Sequence, residues 1–255
     1  MITHLRENIV KAKPILAHWA KTTANTLFPA RCASCRELVE KHGALCSSCW
    51  QNIHFITDPI CYKCGLPFEY NIGEMALCAA CMKQKPAYTE ARAIFKYDEN
   101  SKSQLLAFKF HDKTQLAPVF GQWLARLASS YENKAHFIIP VPLHYMRLMT
   151  RRYNQASLIA HALSKNSTFP VLPDTLIRRR KTMVQSGLSK KEREKNVHGA
   201  FMVPKNKREG LKGKSVILVD DVMTTGATLD ACSRTLHDAG VIDVYVLTLA
   251  RTVIE

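Results

Sequence analysis

The sequence predicts an α/β domain with a mainly parallel sheet flanked by helices, preceded by a small cysteine-rich domain. Three observations carry this. After residue 87, apolar runs of strand length alternate with stretches of helical period, the pattern of a parallel sheet with crossover helices. One of those runs, Val216–Val219, leads into two adjacent acids, a small hydroxyl-rich turn and a helical segment. Eight of the nine cysteines fall between Cys32 and Cys81 as four Cys-x-x-Cys pairs.

At 255 residues the chain can bury a full core in one or two domains. The expected divisions are an N-terminal helix over 1–28, the cysteine-rich domain over 29–86 and the α/β domain over 87–255. The first segment places Leu5, Ile9, Ala12, Leu16 and Trp19 on one helical face with charges opposite, and Pro14 bends or restarts it. It has no apolar core of the secretory kind. A basic amphipathic helix suits the protein's own core or a membrane surface. No apolar run approaches the ~18 residues of a membrane span, so the expected location is cytoplasmic, with the inner face of the membrane as a peripheral site.

The cysteine pairs are Cys32/Cys35, Cys46/Cys49, Cys61/Cys64 and Cys78/Cys81. Each pair can give two thiolates to one tetrahedral ion, and two pairs across a short hairpin complete a four-cysteine zinc site. The gaps fit two successive zinc ribbons, pairs one with two and three with four. A cross-brace of the first pair with the third is the alternative. Disulfides fit less well in a basic chain without a signal peptide. Full cysteine sets leave no open coordination position, so two structural zinc ions are expected, with His42 and His54 not needed as ligands.

Lys83–Glu90 is polar, contains Pro86 and marks the boundary. Ala91–Tyr97 alternates as a strand, Ser101–Phe110 is a helix capped by Ser101 or Ser103, and Leu116–Ala128 is a helix packed through Phe120, Leu124 and Leu127. Phe137–Leu143 is a buried strand whose Pro140 and Pro142 stiffen a loop at the sheet's carboxyl edge. Leu176–Phe201 begins as a strand and continues as a long charged loop. Lys205–Lys214 is a basic connection, Val216–Val219 the central strand, and Val241–Arg251 the last one. Leu229, Cys232, Leu236 and Ala239 recur at helical spacing, which makes Cys232 a packing residue.

The formal net charge is +15. Residues 145–199 hold twelve Lys or Arg against three Asp or Glu, a concentration suited to polyphosphate or nucleic acid.

The chemistry centres on Asp220 and Asp221. Acids at the carboxyl end of a buried strand are costly without a purpose, and ligands bind at that edge of open parallel sheets. The following turn, Thr224, Thr225, Gly226, Ala227 and Thr228, presents backbone N–H groups and hydroxyls at a helix amino end, which suits a phosphate dianion. Gly226 permits close backbone approach. The two carboxylates suit the vicinal hydroxyls of a ribose and a water-bridged magnesium ion. A ribose 5-phosphate is the implied ligand.

This stretch resembles the signature of type I phosphoribosyltransferases. The resemblance implies that Asp220 and Asp221 hold the ribose hydroxyls of phosphoribosyl pyrophosphate, with magnesium, while Thr224–Thr228 hold its 5-phosphate. The string PVPLHYMRLMTRRYNQASLIAHAL is similar to that of the ComF family, competence-associated phosphoribosyltransferase-like proteins with an amino-terminal zinc-binding region. The resemblance runs from about Cys32 to Arg251. It implies that Val141, Pro142, Leu143 and His144 face pyrophosphate, and that Arg147, Arg151, Asn154 and Gln155 contact phosphate oxygens or neighbouring backbone. Asn154 and Gln155 are equally placed to cap the helix.

The spacing Arg180, Thr182, Gln185, Leu188, Arg193 and Asn196 resembles the flexible loop of ComF proteins and of glutamine amidophosphoribosyltransferases, which closes over the reacting ribose. The family context also implies single-stranded DNA and motor or channel proteins of the competence machinery as partners, during DNA uptake in natural transformation. Two functions follow as expectations. One is a binding module for phosphoribosyl pyrophosphate, a nucleotide or a DNA phosphate. The other is an enzyme that displaces pyrophosphate from ribose C1 with a nitrogen nucleophile. No residue is identifiable as its general base.

Overall fold

The computed structural model describes residues 29–32, 34–41, 44–110, 114–144, 146, 153–180 and 190–253. The expected N-terminal helix over 1–28 lies outside them. The chain divides into a small unit ending at Trp50 and a larger one spanning Gln51–Glu255.

The small unit is organised by its sulfurs. The N–H of Arg36 returns to the Cys32 carbonyl at 3.0 Å, with Arg36 in the left-handed region at φ 69°. The Cys46 N–H donates to Cys32 Sγ at 3.3 Å, and α1 (Ser47–Gln51) carries Cys49. The sulfurs of Cys32, Cys35, Cys46 and Cys49 lie within 4.8 Å of one another. Cys35 is exposed and Cys49 half-buried.

The larger unit repeats the device and buries it. The Cys78 N–H donates to Cys61 Sγ at 3.3 Å, and the sulfurs of Cys61, Cys64, Cys78 and Cys81 also gather within 4.8 Å. Cys81 sits on α2 (Ala79–Lys83). All four are buried in the same core as the sheet. The cysteines therefore pair in sequence order rather than as a cross-brace, none is disulfide-bonded, and both quartets fit a structural zinc ion.

The sheet follows as β1 (Glu90–Lys96), β2 (Phe137–Pro140), β5 (Val216–Met223) and β6 (Val244–Arg251), in the spatial order β1-β6-β5-β2 with every pairing parallel. Register runs Ile138↔Ile217 and Leu218↔Val246. Val216–Val219 and all of β6 are buried, as expected for central parallel strands covered on both faces. A short antiparallel pair, β3 (Ile177–Arg178) and β4 (Phe201–Met202), stands apart.

α3 spans Glu99–Phe110 and begins two residues before the predicted start. Its cap is Asp98, not Ser101 or Ser103. The Asp98 carboxylate accepts from the Ser101 N–H at 2.9 Å, and the Ser101 hydroxyl accepts from the Asp98 N–H at 3.0 Å. This reciprocal pair satisfies two N–H groups that no helical carbonyl can reach.

α4 (Ala117–Ala128) crosses α5 (Gln155–Ser164) at Gly121, where a Cβ would stand 2.5 Å from the Ala162 carbonyl carbon. The strand expected over Phe137–Leu143 stops at Pro140. Val141 still donates to the Val219 carbonyl at 2.9 Å, but Pro142 has no N–H with which to continue the ladder.

The charged stretch after β3 contains α6 (Lys190–Val197) where a loop was expected. Arg180 Nη2 donates to the carbonyls of Asn196 at 3.0 Å and His198 at 2.7 Å, so a cation closes the helix's carboxyl end. α7 (Lys205–Arg208) is the basic connection, and α8 (Ala227–His237) links β5 to β6. Among the described residues no helix is long and apolar enough to cross a membrane.

Two outcomes follow from this packing. Gly121→Val forces side-chain atoms into the Ala162 backbone and should lower unfolding free energy by about 1–3 kcal/mol, measured by urea denaturation. Metal analysis of the purified chain should find two zinc ions. Chelation should lower the thermal midpoint of the larger unit, because its quartet is part of the core and metal binding there is folding energy. A chain that carries no metal, or melts identically without it, contradicts the assignment.

Candidate functional site

The sheet's carboxyl edge opens into a cleft of about 390 Å³. β5 supplies its floor. Asp220 and Asp221 reach the edge half-buried, and Asp220 Oδ1 accepts the Asp221 N–H at 2.8 Å. Thr224, Thr225 and Gly226 then turn the chain into α8. Gly226 adopts φ 79°, ψ −2°, a left-handed conformation, and a Cβ there would meet Met223 Cε at 3.0 Å. Any side chain at 226 is disfavoured by both conformation and space.

The turn delivers the N–H groups of the first turn of α8 to the cleft, where helix dipole and donors favour an anion. Thr224, Gly226, Ala227 and Thr228 line it. Thr225 lines a smaller adjoining cavity, and its Oγ1 lies 3.5 Å from the Ala227 nitrogen. Asp230, an acid in the same first turn, would oppose an anion if it pointed inward. Its carboxylate instead accepts from the Ala87 N–H at 2.6 Å and from Arg234 Nε at 2.9 Å.

The opposite wall is Val141, Pro142 and Leu143 with the start of α5. Asn154 caps α5: its Oδ1 accepts from the Ala156 N–H at 3.1 Å while its Nδ2 donates to the Val141 carbonyl at 3.0 Å. The capping alternative therefore describes Asn154, which also clamps the Pro-Val-Pro loop to the helix. Gln155 is buried and borders the cleft, whereas His144 is buried but is not among the lining residues. Arg147, Arg151, Thr182 and Gln185 lie outside the described residues.

Two arginines enter the cleft from the charged stretch. Arg193, on α6, donates from Nη1 to Thr224 Oγ1 at 2.9 Å, directly onto the turn. Arg178, on β3, is only 9% exposed, with its guanidinium 5.3 Å from the centre of the Phe201 ring. Of the other loop residues, Arg180 is committed to the end of α6, and Asn196 lends its carbonyl to Arg180 and lies off the cleft lining.

Sequence reasoning missed Arg178 and Tyr97 as lining residues. Tyr97 follows β1 at the same carboxyl edge that carries Asp220, and strand direction was the signal that could have found it. Cys232 is fully buried, and burial followed by the nearby Asp220 carboxylate pushes its thiol well above the ordinary range. It stays neutral, as a packing residue should. In the second quartet the Cys61 thiol is lowered, first by its hydrogen bond with Cys64 and then, against burial, by backbone N–H groups including that of Cys78. Donors aimed at sulfur stabilise the thiolate that binds metal.

With this geometry in view, comparisons with known proteins are consistent across the chain. Residues 23–89 match the double zinc ribbon domain, and residues 155–252 match the phosphoribosyl transferase domain. Competence protein F of Haemophilus influenzae is 35% identical over 88% of this chain and 98% of its own length. Competence protein ComFC of Bacillus subtilis is 28% identical over 80% of this chain and 82% of its own, and DNA utilization protein YhgH of Escherichia coli K12 is 27% identical over 88% and 98%. Among solved structures, the glutamine phosphoribosylpyrophosphate amidotransferase of B. subtilis is similar with a TM-score of 0.37 and 17% identity. That match covers 56% of this chain and 30% of the other. A double zinc ribbon, a phosphoribosyl transferase domain and a near full-length match to competence protein F place this chain in the ComF family.

Proposed function

We propose that the cleft binds phosphoribosyl pyrophosphate or a closely related ribose phosphate, and that the protein uses this module in handling single-stranded DNA. The observation that carries the ligand is one juxtaposition: Asp220 and Asp221 share a cleft with Thr224, Gly226, Ala227 and Thr228 of the turn at a helix amino end. The turn holds the 5-phosphate through backbone N–H groups, with Arg193 already at Thr224. The carboxylates accept from the ribose hydroxyls, and their oxygens also suit magnesium, which when bound offsets charge on the pyrophosphate.

A second reading, turnover with loss of pyrophosphate, is favoured by Arg178 and Arg193. Both lie in the cleft, where a cation stabilises a departing anion. DNA handling is supported by the net charge of +15 and by relatives named as competence and DNA utilization proteins. The buried Arg178 and the helix-closing Arg180 are poor candidates for that surface. Exposed Arg179, Lys195, Lys205 and Lys207 are better placed.

Calorimetry with phosphoribosyl pyrophosphate and magnesium should show binding that Asp220→Ala with Asp221→Ala weakens at least tenfold, since charge-assisted hydrogen bonds contribute about 1.5–3 kcal/mol each. Zinc content and thermal unfolding should hardly change. Equal binding by both proteins, or none by the wild type, removes the ligand assignment. Pyrophosphate release against a panel of nitrogen acceptors, ammonia included, then separates the enzyme from the binder.

Single-stranded DNA should bind with little sequence preference and with affinity falling steeply in salt. Replacing Arg179, Lys195, Lys205 and Lys207 by Ala should flatten the log–log salt slope by about 0.7 for each DNA phosphate that is no longer neutralised. An unchanged slope places the DNA surface elsewhere on the chain.

A further inference from the structure

Arg251 ends β6 only 8% exposed. Its Nη1 donates to the Cys64 carbonyl and lies 3.4 Å from Met223 Sδ. Both partners are neutral, and its buried Nε makes no hydrogen bond. Among the described residues no carboxylate stands within ion-pair distance of this guanidinium. A buried cation in that state is costly unless another charge compensates it. The compensating group is beside it. Arg251 lines a small cavity together with Cys64 and Cys81, and a zinc ion held by the four thiolates of Cys61, Cys64, Cys78 and Cys81 would leave a net charge of about −2 there.

The same arginine supports the phosphate turn from below. Its register partner in the sheet is Met223, the last residue of β5 before Thr224. Met223 Cε and the Tyr88 hydroxyl are the atoms packed against Gly226, at 3.0 and 3.5 Å from where a Cβ would stand. Tyr88 is 3% exposed, and Lys63, inside the first knuckle of this ribbon, donates to its carbonyl at 3.3 Å. Ala87 is tied to both ends of α8: its N–H donates to Asp230, and its carbonyl lies 2.9 Å from His237 Nε2. A small cavity has Cys64 and Cys81 on one side and Thr225, Gly226 and Ala227 on the other. Metal site and phosphate turn are thus two faces of one packed layer.

We infer that Arg251 is a positioning residue that couples the second zinc ribbon to the phosphate turn, so that zinc held by Cys61, Cys64, Cys78 and Cys81 and the ligand in the cleft stabilise each other. The inference rests on the ligand proposed above. Losing the ion strands the Arg251 charge and frees Cys64, Met223 and Tyr88 to shift beneath Gly226. Linkage makes the effect reciprocal, so bound ligand must raise the affinity for the ion by the same factor. The first quartet, in the separate small unit, takes no part.

Zinc affinity of the intact, zinc-loaded chain can be measured by equilibrium competition with a chromophoric chelator at constant magnesium, with and without saturating phosphoribosyl pyrophosphate. Thiol alkylation and mass spectrometry assign each ion to its quartet. Ligand should raise the zinc affinity of Cys61, Cys64, Cys78 and Cys81 at least about fivefold, within the usual range of coupling between sites, and leave Cys32, Cys35, Cys46 and Cys49 unaffected. Arg251→Met should abolish the protection, and Arg251→Lys, which keeps the charge, should retain part of it. Calorimetry runs alongside. Ligand that binds without raising zinc affinity overturns the coupling and leaves the ligand assignment standing, whereas absence of binding overturns both. Full protection in folded Arg251→Met overturns the arginine's role, and should that variant fail to fold, Arg251→Gln makes the same comparison.

Discussion

The larger unit depends on one constraint: β5 is buried on both faces for four residues and must become polar in the next two. Val216–Val219 have no accessible surface, flanked by β2 and β6 in a parallel ladder. Carboxylates anywhere along that run would be desolvated without partners. At the carboxyl edge they emerge half-buried instead, just past the last β2 pairing at Pro140↔Val219 and with β6 alone still alongside through Asp220↔Thr248. The turn that follows has to reverse direction within three residues, and Gly226 meets that demand with a positive φ. Parallel topology thereby collects β5's acids, the amino end of α8, the loop after β2 and Tyr97 after β1 at one edge.

The two cysteine quartets share a local design but differ in what they hold together. In each, an N–H from the second hairpin donates to the first cysteine's sulfur, Cys46 to Cys32 and Cys78 to Cys61, both at 3.3 Å. The first includes an exposed cysteine and organises a small unit with little core of its own. The second is wholly buried among Tyr88, Met223, Leu229 and Val246. Its hairpin docks on β1: Gly65 packs so closely that a Cβ would stand 2.6 Å from the Ala91 carbonyl oxygen. The second ribbon is thus part of the sheet's own core, whereas the first quartet belongs to the other unit.

Legibility in the sequence followed the range of the interaction. The cysteine pairing, the burial of Val216–Val219 and the helical face of Leu229, Cys232 and Leu236 are set by spacing alone and appear in the structure as expected. The start of α3 was missed because Asp98 and Ser101 act as a pair, and a cap sought one residue at a time finds only the serine. α6 was hidden in a charged stretch whose helix is closed by Arg180, an arginine that composition assigns to solvent or phosphate. Arg178 looked like part of a basic run, yet alternation along β3 turns it inward onto Phe201. Arg251 gave no local signal at all. Its partners Cys64 and Met223 are 187 and 28 residues away, and only the fold brings them together.

The lining of the cleft bears on how a nitrogen nucleophile would be handled there. Displacement at ribose C1 needs stabilisation of the departing pyrophosphate and, for an acceptor that loses a proton, a base within reach. Arg178 and Arg193 answer the first need. Among the described lining residues there is no histidine, and the carboxylates are Asp220 and Asp221, the pair assigned to the ribose hydroxyls. A carboxylate accepting from a hydroxyl is a weaker base toward a second group, because the hydrogen bond stabilises its charged form. With those two carboxylates engaged, an acceptor that arrives uncharged and loses its proton after the bond has formed would ask least of the described lining residues.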